Sequence, residues 1–181
     1  MISGRVWKFG DDINTDLMMP GPALYLPERE RIRYIFQANR PGWVDMVRKG
    51  DIIIGGENYG VGSSRPAALS LRNIGIGCVL AESINGLFFQ NCVGFGLPGL
   101  ECRGIHAAFE EGQIAELSID DFTIRNLQTG AVLKATPVPP QLVDLMCGGG
   151  IFPLLEAQGL IAPLPNVDQD KAAAGFGEDN P

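Results

Sequence analysis

Apolar and polar positions along this chain fall into two textures. Up to about residue 102, short apolar runs alternate with stretches of helical period. Residues 4–9, Gly-Arg-Val-Trp-Lys-Phe, alternate and predict a strand. Asp51-Ile52-Ile53-Ile54-Gly55 and Gly77-Cys78-Val79-Leu80-Ala81 are continuous apolar runs, the pattern of strands covered on both faces. Residues 67–74 and 84–92 carry apolar side chains at helical spacing, and residues 97–102 predict a further strand that opens near Pro98. Strand, helix, strand, helix, strand implies parallel crossovers, and so an α/β fold. Beyond Gly104 the texture changes. Residues 114–119, 122–127 and 131–135 predict short, additional antiparallel strands, with Asn126-Leu127-Gln128-Thr129-Gly130 as a hairpin turn. Residues 141–146 and 151–159 predict two closing helices.

The stretch before the first apolar run is less regular. Gly10-Asp11-Asp12-Ile13-Asn14-Thr15-Asp16 is loop chemistry, with Asp16 as a turn residue or cap. It lacks the alternating acids and closing Glu of a calcium loop. Pro20-Gly21-Pro22 breaks the chain, and the loop continues through Pro27. Residues 28–39 predict one helix with Ile32, Ile35 and Phe36 on a common face. Arg29, Arg31 and Arg33 lie on the same stretch, either as a solvated face or with one arginine reaching an anionic ligand. Residues 43–47 predict a short helical turn. Residues 166–181 are polar and rich in Ala and Gly, so a single domain over residues 1–165 is expected, followed by a disordered tail.

Composition narrows the function classes. Of 181 residues 45% are hydrophobic and 19% charged, which suits one domain with a real core. The net charge of −7 lacks the basic footprint of a nucleic-acid binder. No run approaches the ~18 apolar residues of a membrane span. Residues 1–16 show no basic segment followed by an apolar core, so no signal peptide is expected and a cytoplasmic location is. The four cysteines, Cys78, Cys92, Cys102 and Cys147, include no Cys-x-x-Cys pair, so buried thiols are expected rather than a metal or iron–sulfur site in this chain. His106, the single histidine, follows a predicted strand among loop signals and has no nucleophile signature beside it.

The chemistry concentrates in Asn58-Tyr59-Gly60-Val61-Gly62-Ser63-Ser64-Arg65-Pro66-Ala67-Ala68, between a predicted strand and a predicted helix. Gly56, Gly60 and Gly62 permit positive φ and close approach of the backbone to a ligand. Pro66 suits the first helical position, which would put Ser63 and Ser64 at the helix start, where free N–H groups attract anions. Arg65 adds a planar fork matched to a carboxylate or phosphate. The same residues also suit an ordinary capped turn. The spacing matches neither a Walker A loop nor the dinucleotide-binding pattern.

Four motifs occur in order: Trp7-Lys8-Phe9-Gly10-Asp11-Asp12-Ile13-Asn14-Thr15-Asp16, Gly50-Asp51-Ile52-Ile53, Gly62-Ser63-Ser64-Arg65, and Leu97-Pro98-Gly99-Leu100-Glu101-Cys102. Together, over about residues 4–160, they resemble the small subunit of 3-isopropylmalate dehydratase, the swivel domain of the aconitase superfamily. The resemblance implies a swivelling β/β/α domain and a separate large subunit carrying a [4Fe–4S] cluster. It implies a hydro-lyase reaction that moves a hydroxyl between neighbouring carbons of a hydroxy-diacid, in leucine biosynthesis for isopropylmalate. By the same resemblance Ser63 is the base that takes a proton from carbon, Ser64 and Arg65 bind substrate, and Asp16 lies near the site.

Two departures from the family pattern stand out. Pro66-Ala67-Ala68 replaces the family's Glu-His-Ala, and Pro22-Ala23-Leu24-Tyr25-Leu26 replaces a Pro-Ala-Arg-Tyr-Leu-like run in the loop that reads the substrate's variable group. Isopropylmalate is therefore the default substrate, with another 2-alkylmalate, citramalate or a homoaconitate-like acid left open. Arg29 is a candidate second carboxylate contact. A non-catalytic anion-binding domain is the alternative of a different class. To act as a base near neutral pH a serine hydroxyl must fall by about six pKa units, roughly 8 kcal/mol. A helix end offers at most ~2 kcal/mol and one cation at about 4 Å offers ~4 kcal/mol. Ser63 is therefore expected to be inert in this chain alone.

Overall fold

The computed structural model describes residues 1–162. The expected tail at 166–181, and the domain limit at 165, lie outside the described residues. β1 (Ile2–Lys8) is followed by α1 (Thr15–Met18), a 3-10 turn (Gly21–Tyr25), α2 (Glu28–Arg31), a second 3-10 turn (Ile32–Tyr34) and α3 (Trp43–Met46). β2 (Ile52–Gly55), α4 (Ala67–Asn73), β3 (Cys78–Ala81), α5 (Gly86–Phe95) and β4 (Gly99–Glu101) form the alternating section. α6 (Ile105–Ala108), β5 (Ile114–Ser118), β6 (Thr123–Asn126), β7 (Val132–Lys134), α7 (Pro140–Cys147) and α8 (Ile151–Ala157) complete the chain. No helix among the described residues is long and apolar enough to cross a membrane.

The strands form one seven-stranded sheet in the order β4-β3-β2-β1-β5-β6-β7. β1, β2, β3 and β4 run parallel, and β5, β6 and β7 continue antiparallel from the other edge of β1. The fold is therefore α/β, with the parallel strand-and-helix core and the extra antiparallel strands expected from the sequence. Strand alternation sorts the apolar runs into two cores. Trp7, Ile53, Val79 and Ala81 face one way and pack with Leu71, Phe88 and Trp43. Val6, Ile52, Ile54, Cys78 and Leu80 face the other way and pack with Phe109, Leu117, Ile124 and Met146. The second core is enclosed because the sheet curls. The Ala135 N–H bonds the Phe122 carbonyl of the β6 flank at 2.9 Å, and the next N–H, that of Thr136, bonds the Glu101 carbonyl of β4 at 2.7 Å.

The single helix expected over residues 28–39 is absent. The chain forms α2, then a 3-10 turn, leaves helical geometry at the extended Ile35, and turns left-handed at Phe36, whose φ is +54°. Phe36 is buried and stacks on Phe9 at 4.2 Å, with Trp43 edge-on to both at 5.0 and 5.6 Å. Aromatic pairs of this kind contribute ~0.5–1.5 kcal/mol each beyond their burial, enough to offset the ~1–2 kcal/mol of a left-handed residue. Helical periodicity did point to Ile35 and Phe36 as the buried positions. Two other expectations change. Asp16 belongs to α1 rather than to a loop, because the Asn14 side chain caps that turn by accepting the Leu17 N–H at 2.8 Å. His106 lies on α6 rather than in a loop.

Candidate functional site

Four parallel strands share one C-terminal edge, the edge at which open α/β sheets bind ligands. The loops there are laced together. After β1, the Asp11 carboxylate accepts the Glu57 N–H at 2.7 Å, and the Asp12 carboxylate accepts the Asn58 side-chain amide at 2.8 Å. The Gly60 N–H then bonds the Ile13 carbonyl at 2.7 Å, and the Thr15 N–H bonds the Val61 carbonyl at 2.8 Å. The loop after β2 is thereby pinned against α1. Gly60 and Gly62 take φ of +81° and +120°, and the approach is close. A Cβ on Gly60 would lie 2.3 Å from the Phe88 side chain, and one on Gly62 would lie 2.7 Å from Thr15 Oγ1. Gly56, expected to share the positive φ, is instead required by spacing, since its Cβ would lie 1.9 Å from Asp11 Oδ1.

This lacing sets Arg65 against Asp16. The guanidinium makes an ion pair with the Asp16 carboxylate, donates to the Met19 carbonyl at 2.5 Å, and donates through Nε to Ser63 Oγ at 3.0 Å. The Arg65 side chain is only 14% exposed, whereas that of Asp16 is 65% exposed. Ser63 and Ser64 are both exposed. The structure thus brings Ser63, Arg65 and Asp16 into one contact set, and among the described residues no side-chain hydrogen bond joins the exposed Ser64 to it. Asp16 is the counter-charge of the arginine in this structure.

The helix-start expectation needs correction. α4 begins at Ala67 with Pro66 one position earlier than expected, as the N-cap, and no side chain caps it. The Arg65 and Ala67 N–H groups turn back onto the carbonyls of Ser63 and Arg65 at 2.8 and 2.7 Å. Two backbone N–H groups at this corner are therefore spent on the loop itself, and the Arg65 guanidinium is the full positive charge there. Arg29 is exposed on α2, and no hydrogen bond or ion pair among the described residues joins it to Ser63, Ser64, Arg65 or Asp16. Its neighbour Glu28 ties α2 to α4 by accepting from Ser70 Oγ at 3.0 Å and the Asn73 amide at 3.1 Å.

Sequence reasoning missed several groups at this edge. The Met19 carbonyl and the buried Thr15 support the arginine and the glycine loop, and only the Asn14 cap was readable as a signal. Glu82, just after β3, accepts the N–H groups of Gly104 and His106 at 2.7 and 2.8 Å, and Glu101 accepts that of Ile84 at 2.7 Å. His106 serves here through its backbone. Burial pushes the thiols of Cys78 and Cys92 up. Burial and the nearby Glu82 push that of Cys102 up to about 11, so all three stay protonated at neutral pH. Among the described residues no three His, Cys, Asp or Glu side chains converge to hold a metal ion.

The site is a ledge and not a pocket. A cavity of about 230 Å³ is lined by Ile84, Phe89, Glu101 and Thr136, and an apolar groove of about 300 Å³ runs between α5, α7 and α8. Neither includes Ser63, Ser64 or Arg65. Chemically, an exposed hydroxyl beside a fixed guanidinium can hold a carboxylate, and it can carry a proton once a cover excludes water.

Comparison with known proteins agrees with this fold. The model of the Aconitase C-terminal domain matches residues 36–103. The chain is 40% identical over 158 residues to the isopropylmalate/citramalate isomerase small subunit of Methanocaldococcus jannaschii, covering 86% of this chain and 94% of that one. It is 38% identical over 161 residues to the 3-isopropylmalate dehydratase small subunit 1 of Methanopyrus kandleri, covering 88% and 95%. A crystal structure of 3-isopropylmalate dehydratase (LeuD) from Methanocaldococcus jannaschii superposes with a TM-score of 0.81 at 28% identity, covering 94% of this chain and 98% of that one. A seven-stranded curled sheet, a Gly-Ser-Ser-Arg corner at its C-terminal edge and relatives matched over nearly their full length lead to one assignment: the chain belongs to the family of 3-isopropylmalate dehydratase small subunits, of the aconitase C-terminal domain type.

Proposed function

We propose that this chain is the small subunit of a heteromeric hydro-lyase that isomerises 2-isopropylmalate to 3-isopropylmalate in the cytoplasm, and that it supplies Ser63 as the base. The observation that carries the proposal is the Arg65 guanidinium, fixed by Met19 and Asp16 and donating to Ser63 Oγ at 3.0 Å. In dehydration a C–H bond of the substrate breaks and its proton passes to Ser63 Oγ. The electron pair forms the double bond as the hydroxyl leaves the neighbouring carbon as hydroxide, a leaving group that a Lewis acid on the large subunit would accept. In rehydration Ser63 gives the proton to the carbon that lost the hydroxyl, and the hydroxyl adds to the carbon that lost the proton. Ser64 and Arg65 hold a carboxylate of the diacid, and Arg29 is the candidate for a second contact.

The need for a partner follows from magnitudes. A charge-assisted hydrogen bond is worth ~1.5–3 kcal/mol against the roughly 8 kcal/mol that a serine base requires. Ser63 is exposed, so the remainder would come from burial beneath a large subunit. The described residues do not fit a [4Fe–4S] cluster, since no metal-holding set converges and Cys78, Cys92 and Cys102 are buried thiols. The proposal therefore assigns the cluster, and the Lewis acidity it provides, to the large subunit.

Citramalate is the second substrate reading. It is favoured by Leu24 standing where the isopropylmalate enzymes commonly carry arginine, and by the name of the Methanocaldococcus jannaschii relative at 40% identity. Co-expression with a large subunit under anaerobic conditions, followed by assay of a panel of 2-hydroxy diacids through the absorbance of the unsaturated product, separates the two. The chain alone should be inactive, and Ser63→Ala should abolish activity of the assembled pair. Near-normal turnover by that variant refutes the base assignment.

A further inference from the structure

Arg65 brings positive charge to the candidate site, and that charge already has a partner. The guanidinium cannot move easily, because its side chain is 14% exposed and two of its nitrogens are committed to Met19 O and Ser63 Oγ. Asp16 can move. Its side chain is 65% exposed, and the backbone beneath it is held independently by the Asn14 cap and by the Thr15–Val61 hydrogen bond. Rotating the Asp16 side chain outward would return a carboxylate to water without disturbing α1. Ion pairs with so exposed a partner are weak and exchangeable.

We infer that Asp16 is a specificity-determining residue: it occupies the carboxylate seat of Arg65 when no ligand is bound, and only an acid that can displace it gains the site. The inference rests on the proposed function in taking the ligand to be a diacid. A monocarboxylate that replaces Asp16 exchanges one carboxylate for another and gives up the advantage of a tethered competitor. A diacid whose second carboxylate is held elsewhere in the assembled enzyme recovers that loss. The Asp16–Arg65 pair thus lowers affinity for simple acids and tilts the site toward two-headed ones.

The test titrates the full isolated chain with malonate and with acetate, following the Arg65 guanidinium resonances by NMR and heats by calorimetry. Asp16→Asn should bind both anions on the order of tenfold more tightly than the wild type. Asp16→Ser should repeat the gain, and Arg65→Ala in the Asp16→Asn background should remove it. In the assembled enzyme Asp16→Asn should lower KM for the diacid and sharpen inhibition by a 2-hydroxy monocarboxylate about tenfold. Equal or weaker anion binding by both Asp16 variants overturns the inference, as does binding that survives loss of Arg65 or a raised KM with reduced kcat. The anion titration is independent of serine chemistry. Failure here leaves the Ser63 assignment standing, and failure of Ser63→Ala leaves this one standing.

Discussion

Arg65→Lys separates charge from geometry at the candidate site. Lysine keeps the positive charge but replaces a planar fork with one nitrogen on a flexible stem. It can satisfy Met19 O or Ser63 Oγ, and cannot span Met19, Ser63 and Asp16 together. The Met19 contact is a part-buried, charge-assisted hydrogen bond worth ~1.5–3 kcal/mol. The Asp16 pair, exposed on the acid side, adds about 0–1 kcal/mol. With lysine recovering part of this, a net loss of ~1–2 kcal/mol is expected, a fall in Tm of roughly 2–8 °C for a domain of this size. The catalytic loss is larger. If negative charge builds on Ser63 Oγ in the transition state, removing the Nε–H donor costs ~1.5–3 kcal/mol, or about 10- to 150-fold in kcat. The assay is steady-state turnover of the variant complex beside a thermal melt of the isolated chain. A variant with kcat within threefold of wild type would refute the coupling of Arg65 to Ser63, whatever its Tm.

The remaining predictions bear on the scaffold of the site and on its chemistry with pH. Tyr59→Phe should stabilise the chain by about 1 kcal/mol or more, read as a Tm rise of ~2–4 °C, because the Tyr59 hydroxyl is fully buried with no hydrogen-bond partner among the described residues; a lower Tm would show that the hydroxyl is satisfied. Gly62→Ala should cost ~2–4 kcal/mol through its φ of +120° and the contact with Thr15 Oγ1, and should displace Ser63 enough to cut activity of the assembled pair more than tenfold. A fully active Gly62→Ala complex would mean that the loop tolerates relocation. Alkaline stability should follow the buried thiols. In the unfolded chain they ionise near ~8.5, while in the fold Cys102 does so at about 11 and Cys78 and Cys92 are also raised. Between those values the unfolded state has released protons that the fold retains, so stability present below pH ~8.5 is lost as pH rises toward 11. Cys102→Ser should flatten that decline in Tm, and an unaltered decline would assign it to other groups.

Much of the sheet was legible because its signal is local. Ile52–Gly55 and Cys78–Ala81 are apolar without interruption, and the turn after Asn126 carries its own chemistry: Asn126 Oδ1 accepts from Gln128 and Thr129, and Gly130 takes positive φ. What stayed hidden depends on contacts between distant segments. Nothing within residues 28–39 announces that Phe36 must leave a helix to reach Phe9 and Trp43. α1 has four residues, too few for periodicity to register, and only Asn14 marked it. Ser63, Ser64 and Arg65 are contiguous and were found together. The nearness of Asp16 followed from the resemblance alone, and its role as the counter-charge of Arg65 needed coordinates. The curl of the sheet was likewise invisible, because it rests on two adjacent N–H groups, of Ala135 and Thr136, that reach opposite ends of the strand order.

The central place of β1 has a bearing on biosynthesis. Its residues leave the ribosome before either neighbour, yet one flank pairs with β2 and the other with β5, more than a hundred positions downstream. At about 5–20 residues per second, roughly 5 to 20 seconds separate the emergence of β1 from that of β5. Throughout that interval a nascent βαβ unit would present an unfinished lateral edge, the kind of surface that recruits other chains. Emergence of β5, rather than that of β2, is then the moment at which the middle of the sheet loses its open edge.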